Sequence, residues 1–205
     1  MKLILENVRG SYVYVTTPRK KDGEEVGYGM QIILDKKEDK ELILKIKKGT
    51  IKVAKEKFGD KIKVNKNGTI AGYKTPIRDG DEEREGEEFE GKVFLNANAK
   101  LDRKPGLVNK YNKKPTEQEI ADHCFSGAYF NVSINLYPFD NESKGVAVGL
   151  NNVMMCQKDA ERLDGTMSAE SEFAGYASED ASDDFASGEL DDDLEDDDLL
   201  EDDEL

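Results

Sequence analysis

The sequence contains no tryptophan, one histidine, two cysteines and five prolines in 205 residues. A single histidine, His123, leaves no Ser-His-Asp set to assemble beyond that one residue. Neither GxxxxGK[ST] nor GxGxxG occurs, so no phosphate-cradling loop of those kinds is present. Cys124 and Cys156 fit a reducing compartment and read as free thiols. No CxxC or HxxxH spacing accompanies His123-Cys124, and no metal or cofactor is expected. No apolar run reaches the 18 or so residues that a membrane helix needs. The opening Met1-Lys2-Leu3-Ile4-Leu5-Glu6 is charged too soon for a signal peptide.

The last forty residues lack lysine and arginine altogether. All 30 basic residues precede Thr166, together with 27 of the 45 acidic ones, so this body carries +3. The other 18 acids lie in 166–205, which carries −18 and brings the net charge to −15. Asp191, Asp192, Asp193, Asp196, Asp197, Asp198, Asp202 and Asp203 form its densest part, and Leu205 ends it. Such a segment has too little apolar surface to offset the entropy of ordering and is expected to be disordered. The division is therefore a domain over 1–165 and an acidic tail over 166–205. A tethered polyanion can occupy the surface that another polyanion would use, which points to nucleic acid.

Within the body, period-two alternation predicts strands over 11–16, 26–34, 91–100 and 128–137, with another over 144–150. In the second of these, Val26, Tyr28, Met30, Ile32 and Leu34 share one side, while Gly27, Gly29 and Gln31 face away. A helix is expected over about 37–58. Ile43, Ile46, Ala54 and Phe58 lie on its apolar face, and Lys45, Lys48, Lys52 and Lys55 on the opposite one. Gly49-Thr50 is a place where it could break in two. A short helix after Pro115 has Thr116 as N-cap and Glu119 as its capping-box partner. There is no β-α-β alternation. The fold class is α+β, mainly β: an antiparallel barrel with one main helix and long polar loops.

The outward sides of these strands carry Tyr12, Tyr14, Phe94, Tyr129 and Tyr137, interleaved with Asn, Ser and Lys, including Lys92. Bases stack on such rings for about 1–3 kcal/mol each, whatever the sequence. The loop over 100–114 adds Lys100, Arg103, Lys104, Lys110, Lys113 and Lys114 around Tyr111. Cations placed against phosphates release counterions. The plainer alternatives are rings packed under a helix or a loop, or in a dimer interface, and lysines that are simply solvated. Arg78, in the turn Thr75-Pro76-Ile77-Arg78-Asp79-Gly80-Asp81, is a phosphate contact or an ion-pair partner of a nearby acid. Asp81 with Glu90-Gly91-Lys92 has a loose Asp…Glu-x-Lys nuclease spacing, but the acids crowd one loop. No enzymatic activity is expected.

The chain resembles the phage replication single-stranded DNA-binding proteins. Four segments carry the resemblance: Pro76 to Asp81, Gly91 to Ala97, Ser126 to Val132, and Lys144 to Val153. It implies an OB fold with an acidic C-terminal tail, and non-specific protection of single strands in replication, recombination and repair. It also implies tail contacts with polymerase and helicase-primase, homodimers, and a place in the cytoplasm of a bacterial host. Many tails of this kind end on an aromatic anchor, where this chain has Leu205. The competing reading is an acidic chaperone or DNA mimic that holds basic proteins with its tail.

Overall fold

The computed structural model describes residues 1–163 and 165. The proposed acidic tail, with its aspartates and Leu205, lies outside the described residues. Among the described residues, seven strands and three helices follow one another as β1 (Lys2–Lys21), β2 (Glu24–Asp35), α1 (Lys40–Phe58), β3 (Arg78–Asp79), α2 (Gly80–Glu83), β4 (Lys92–Ala99), β5 (Gly106–Val108), α3 (Glu117–His123), β6 (Tyr129–Asp140) and β7 (Lys144–Met155). A 3-10 turn over Glu87–Phe89 precedes β4.

β1 and β2 form a hairpin around Asp22-Gly23, both at positive φ (53° and 87°). A two-residue loop of that kind matches the twist of its flanking strands. β4 then pairs antiparallel with β2, β6 with β1, and β7 with β6. The ring closes where β7 runs parallel to β4, at Ala97↔Val148 and Asn98↔Gly149. The result is a closed five-stranded barrel, β1-β2-β4-β7-β6, of the OB-like α+β class. β3 extends the edge of β4, and β5 lies parallel to β7.

Alternation places one side of every strand inside. Leu3, Leu5, Met30, Ile32, Leu34, Leu95, Phe130, Val132, Ile134, Leu136, Val148 and Leu150 fill the interior. Burying each large side chain contributes about 1.5–3 kcal/mol. β1 keeps this pattern over its length by inserting residues: Asn7 (φ 54°) and Tyr12 (φ 47°) sit where its register shifts. α1 packs on β6 and β7. It runs unbroken through Gly49-Thr50, contrary to a possible break there. Gly49 is buried, and a Cβ on it would stand 2.9 Å from Leu136 Cδ1 and 3.2 Å from Met1 Sδ. Glycine there lets the helix approach the barrel, and Thr50 bonds back to the Ile46 carbonyl at 2.9 Å. α3 starts as expected, with Glu119 N donating to Thr116 Oγ1 and Thr116 N to the Glu119 carboxylate.

Candidate nucleic-acid interface

The outer face of β1, β2 and β4 holds a groove of about 440 Å³. Its register is readable row by row. Tyr14, Gly29 and Asn98 stand opposite one another, and so do Ser11, Gln31 and Asn96. Gly29 lies in the floor because β4 is close: a Cβ on it would meet the Ala97 carbonyl and Asn98 Oδ1, each at 2.9 Å. A strand glycine commonly marks such a close approach. Tyr12 and Tyr14 rise beside this floor, 54% and 40% exposed. Arg19 and Arg84 also line the groove, with the amides of Gln31, Asn96 and Asn98. Rings, cations and amides side by side are the side chains with which single-strand grooves stack bases and neutralise phosphate.

Of the residues singled out in the sequence, only Tyr12 and Tyr14 line this groove. Phe94 does face away from the barrel interior but is fully buried, so the expectation that it stacks on bases is corrected. It lies in a second apolar cluster with Ile33, Phe89 and Leu163. Its ring meets Phe89 edge-on at 5.6 Å, with the guanidinium groups of Arg78 and Arg84 at 5.0 and 5.3 Å from its centroid. Arg78 also pairs with Glu83, which supports the ion-pair alternative. Lys92 is bound to Asp35 at 2.7 Å. Neither of these cations is held free for phosphate. Asp81, the acid of the loose nuclease spacing, is engaged by Lys36 Nζ and by Gly91 N, both at 2.7 Å. The Lys36 ammonium and then the Gly91 N–H hold its carboxyl below the usual range.

The basic loop is built, with its cations outward. Asn109 is buried at its centre; its Oδ1 accepts from Tyr111 N at 3.1 Å and Lys113 N at 3.0 Å, and its Nδ2 donates to Glu119 at 2.9 Å. Lys100, Arg103, Lys104, Lys110, Lys113 and Lys114 are all exposed around it, and Tyr111 is 67% exposed. Lys104 lies 5.8 Å from the Tyr28 ring and Lys110 lies 5.2 Å from that of Tyr111. β5, inside this loop, runs along β7 rather than β2. Tyr129 is half-buried under Lys158, across β1 from the groove, in register with Arg9. Tyr137 is exposed further along β6. The structure therefore distributes the predicted rings over several strands instead of gathering them in one place.

Arg19, Arg84 and the three amides were missed by sequence reasoning. Arg19 lies beyond the predicted first strand, and Arg84 sits in a loop read as solvated acid. Gly27, Gly29 and Gln31 facing away together were the available signal. A larger hollow, about 670 Å³, lies between α1 and β3 and includes Lys47, Thr50, Lys74, Arg78 and Glu83. It has no exposed ring, and its Arg78 and Glu83 neutralise each other.

The fold is thus a closed OB-like barrel whose outer face carries an open, ring-bearing polar groove. A family model described as "Enterobacter phage Enc34, ssDNA-binding protein" matches residues 1–186, and the chain belongs to that family, which is not enzymatic. Protein p50 of Acyrthosiphon pisum secondary endosymbiont phage 1 is 29% identical over 155 residues, 75% of this chain and 82% of that protein. Among solved structures, the single-stranded DNA-binding protein from bacteriophage Enc34 in complex with ssDNA is similar at TM-score 0.65 and 22% identity, over 79% of this chain and 89% of that one. A second structure of the single-stranded DNA-binding protein from bacteriophage Enc34 is similar at TM-score 0.63 and 21% identity, over 86% of this chain and 90% of that one.

Proposed function

We propose that this chain binds single-stranded DNA without sequence specificity, laying bases on Tyr12 and Tyr14 and phosphates near Arg19, Arg84 and the basic loop. The observation that carries this reading is the groove over Gly29, lined by two exposed rings and two arginines. Family membership supports the ligand class, and a relative of the same fold is described in complex with ssDNA. The setting is phage DNA replication and recombination in the host-cell cytoplasm. The acidic segment 166–205 competes with DNA for the cationic side chains and, once displaced, is offered to replication proteins such as polymerase and helicase-primase.

A flexible linker of forty residues spans in general roughly 35 Å, from about 5–6 Å × √n. Effective concentrations on such tethers are of millimolar order, so weak contacts are repeatedly made. The test measures affinity for labelled oligothymidylate with the full chain and with a chain ending at residue 165, at two salt concentrations. Tighter binding by the shortened chain, most evident at low salt, is expected. Equal or weaker binding at low salt rules out the competition, and no binding by either chain rules out the groove.

A further inference from the structure

The positive charge of the body is not spread evenly. Residues 40–74, which are α1 and the loop after it, hold 11 basic and 3 acidic residues, a net of +8. The whole body carries +3, so the rest of it is net −5. Lys48, Lys52 and Lys55 form the centre of this charge, four and three residues apart on the side of α1 turned away from the core. All three are exposed, and among the described residues no ion pair engages them. Glu56 and Asp60 lie at one edge of this face. Lys45, a turn earlier, stands among Glu6, Glu38, Asp39 and Glu41 and is left out of the group. Like charges at three- and four-residue spacing weaken a helix, whereas opposite ones strengthen it. The stripe thus costs α1 stability, which points to a use for the charge outside the fold.

The face also shows what kind of polyanion fits it. No exposed ring lies in 40–74: Phe58 and Tyr73 are half-buried against each other, with centroids 4.8 Å apart. Nothing there stacks a base, in contrast with Tyr12 and Tyr14. At about 1.5 Å of rise per residue, successive lysines stand roughly 4.5–6 Å apart along the axis, comparable to successive phosphates on a single strand. Lysine meets phosphate as a point charge on a flexible stem, without the fixed geometry of arginine. Cations also lead from the groove toward this face. Arg84 lines the groove and Arg78 lines the hollow between α1 and β3, and both lie over the one Phe94 ring, so the two depressions are neighbours. Lys47 and Lys74 line the same hollow, and Lys47 adjoins Lys48 on α1. Asp79, Glu82 and Glu83 balance the three cations of the hollow, which leaves the grip to the groove at one end and α1 at the other.

We propose that Lys48, Lys52 and Lys55 form a second DNA site, a base-blind track for the phosphodiester backbone of a single strand that extends beyond the groove. This rests on the single-strand reading of the groove and adds to it a site on a different element with different chemistry. OB folds occupy about 4–16 nucleotides, so a strand at the short end of that range fills the groove alone and a much longer one also reaches α1.

The test titrates labelled oligothymidylates of about six and about forty nucleotides with the full chain, over a range of salt and with DNA in excess so that one chain binds each strand. The comparison is with a triple variant carrying Lys48→Gln, Lys52→Gln and Lys55→Gln, which removes charge and keeps much of the side-chain length. Each phosphate contact contributes about 0.7 to the slope of log affinity against log salt on single strands, so the variant is expected to lose about 2 on the long strand. Its slope and affinity on the short strand are expected to match the parent. An equal slope on the long strand overturns the site, and so does an equal fall on both strands, which would mark a general field and not a track. Lysine acetylation of the full chain, read by mass spectrometry, locates the contact without any substitution. Lys48, Lys52 and Lys55 are expected to react freely without DNA and with the short strand, and to be protected by the long one. Protection already complete without DNA assigns them to a protein partner and overturns the site. Tyr14→Ala is expected to weaken both strands; a variant that weakens neither overturns the groove reading itself.

Discussion

At the residue scale, a ring's usefulness depends on what covers it. Tyr14 and Phe94 both sit on outward positions of neighbouring parts of one face, yet Tyr14 is 40% exposed and Phe94 is fully buried. Tyr14→Ala is expected to cost about 1–3 kcal/mol of single-strand affinity with an unchanged melting temperature. Phe94→Ala is expected to cost about 3–5 kcal/mol of stability, because it leaves a cavity under Arg78 and Arg84. Thermal melts and binding titrations on both variants separate the two. The alternation that placed Phe94 outward was legible in the sequence. Its cover was not, since Phe89 and Leu163 reach it from a 3-10 turn and from a segment some seventy residues further along the chain. Burial of a strand's second face is a tertiary fact that period-two patterning does not contain.

The elements themselves were largely legible. β2, β4 and β6 fall within a few residues of the expected strands because each has one apolar and one polar side. α3 begins at its capping box as expected. β1 proved far longer than the expected 11–16, because its register shifts near Asn7 and Tyr12 interrupt the alternation that would have revealed it. At this scale the basic loop makes a separable prediction. Its six exposed cations hang on a frame fixed by Asn109, so removing one leaves the frame intact. If a loop cation contacts the strand, Lys104→Ala lowers the slope of log affinity against log salt by about 0.7 for that contact. An unchanged slope places the loop off the DNA path.

At the scale of the whole molecule, the charge pairs set a pH window. Asp35 is held far below the ordinary carboxylate range by Lys92 and then by the backbone N–H groups of Glu38 and Lys37. Asp81 is lowered chiefly by Lys36, and Glu119 chiefly by the Thr116 N–H with help from Asn109. Folded values below the unfolded ones mean that the folded state keeps these groups ionised where the unfolded chain begins to protonate. Their contribution is therefore complete above about pH 4, the ordinary carboxylate value, and is lost as pH falls through the folded values. Lys36 has the opposite sign: Asp79 and Asp81 raise it, so its share is complete below about pH 10 and fades only above. Denaturant melts across pH are expected to show a plateau over roughly pH 5–9 and a decline below about pH 4. Asp35→Asn is expected to shrink the acid decline, and an unchanged decline in that variant would assign it to other carboxylates.

The first strand's partner arrives late. Leu3 and Leu5 are paired with Ile134 and Val132 on β6. During synthesis at about 5–20 residues per second, the stretch around Leu3-Ile4-Leu5 emerges roughly ten seconds before the strand that will shelter it exists. The hairpin with β2 forms early but engages only the later half of β1, from Arg9 onward. For that interval the newborn chain displays an unpaired apolar edge, the kind of surface through which partly made chains associate.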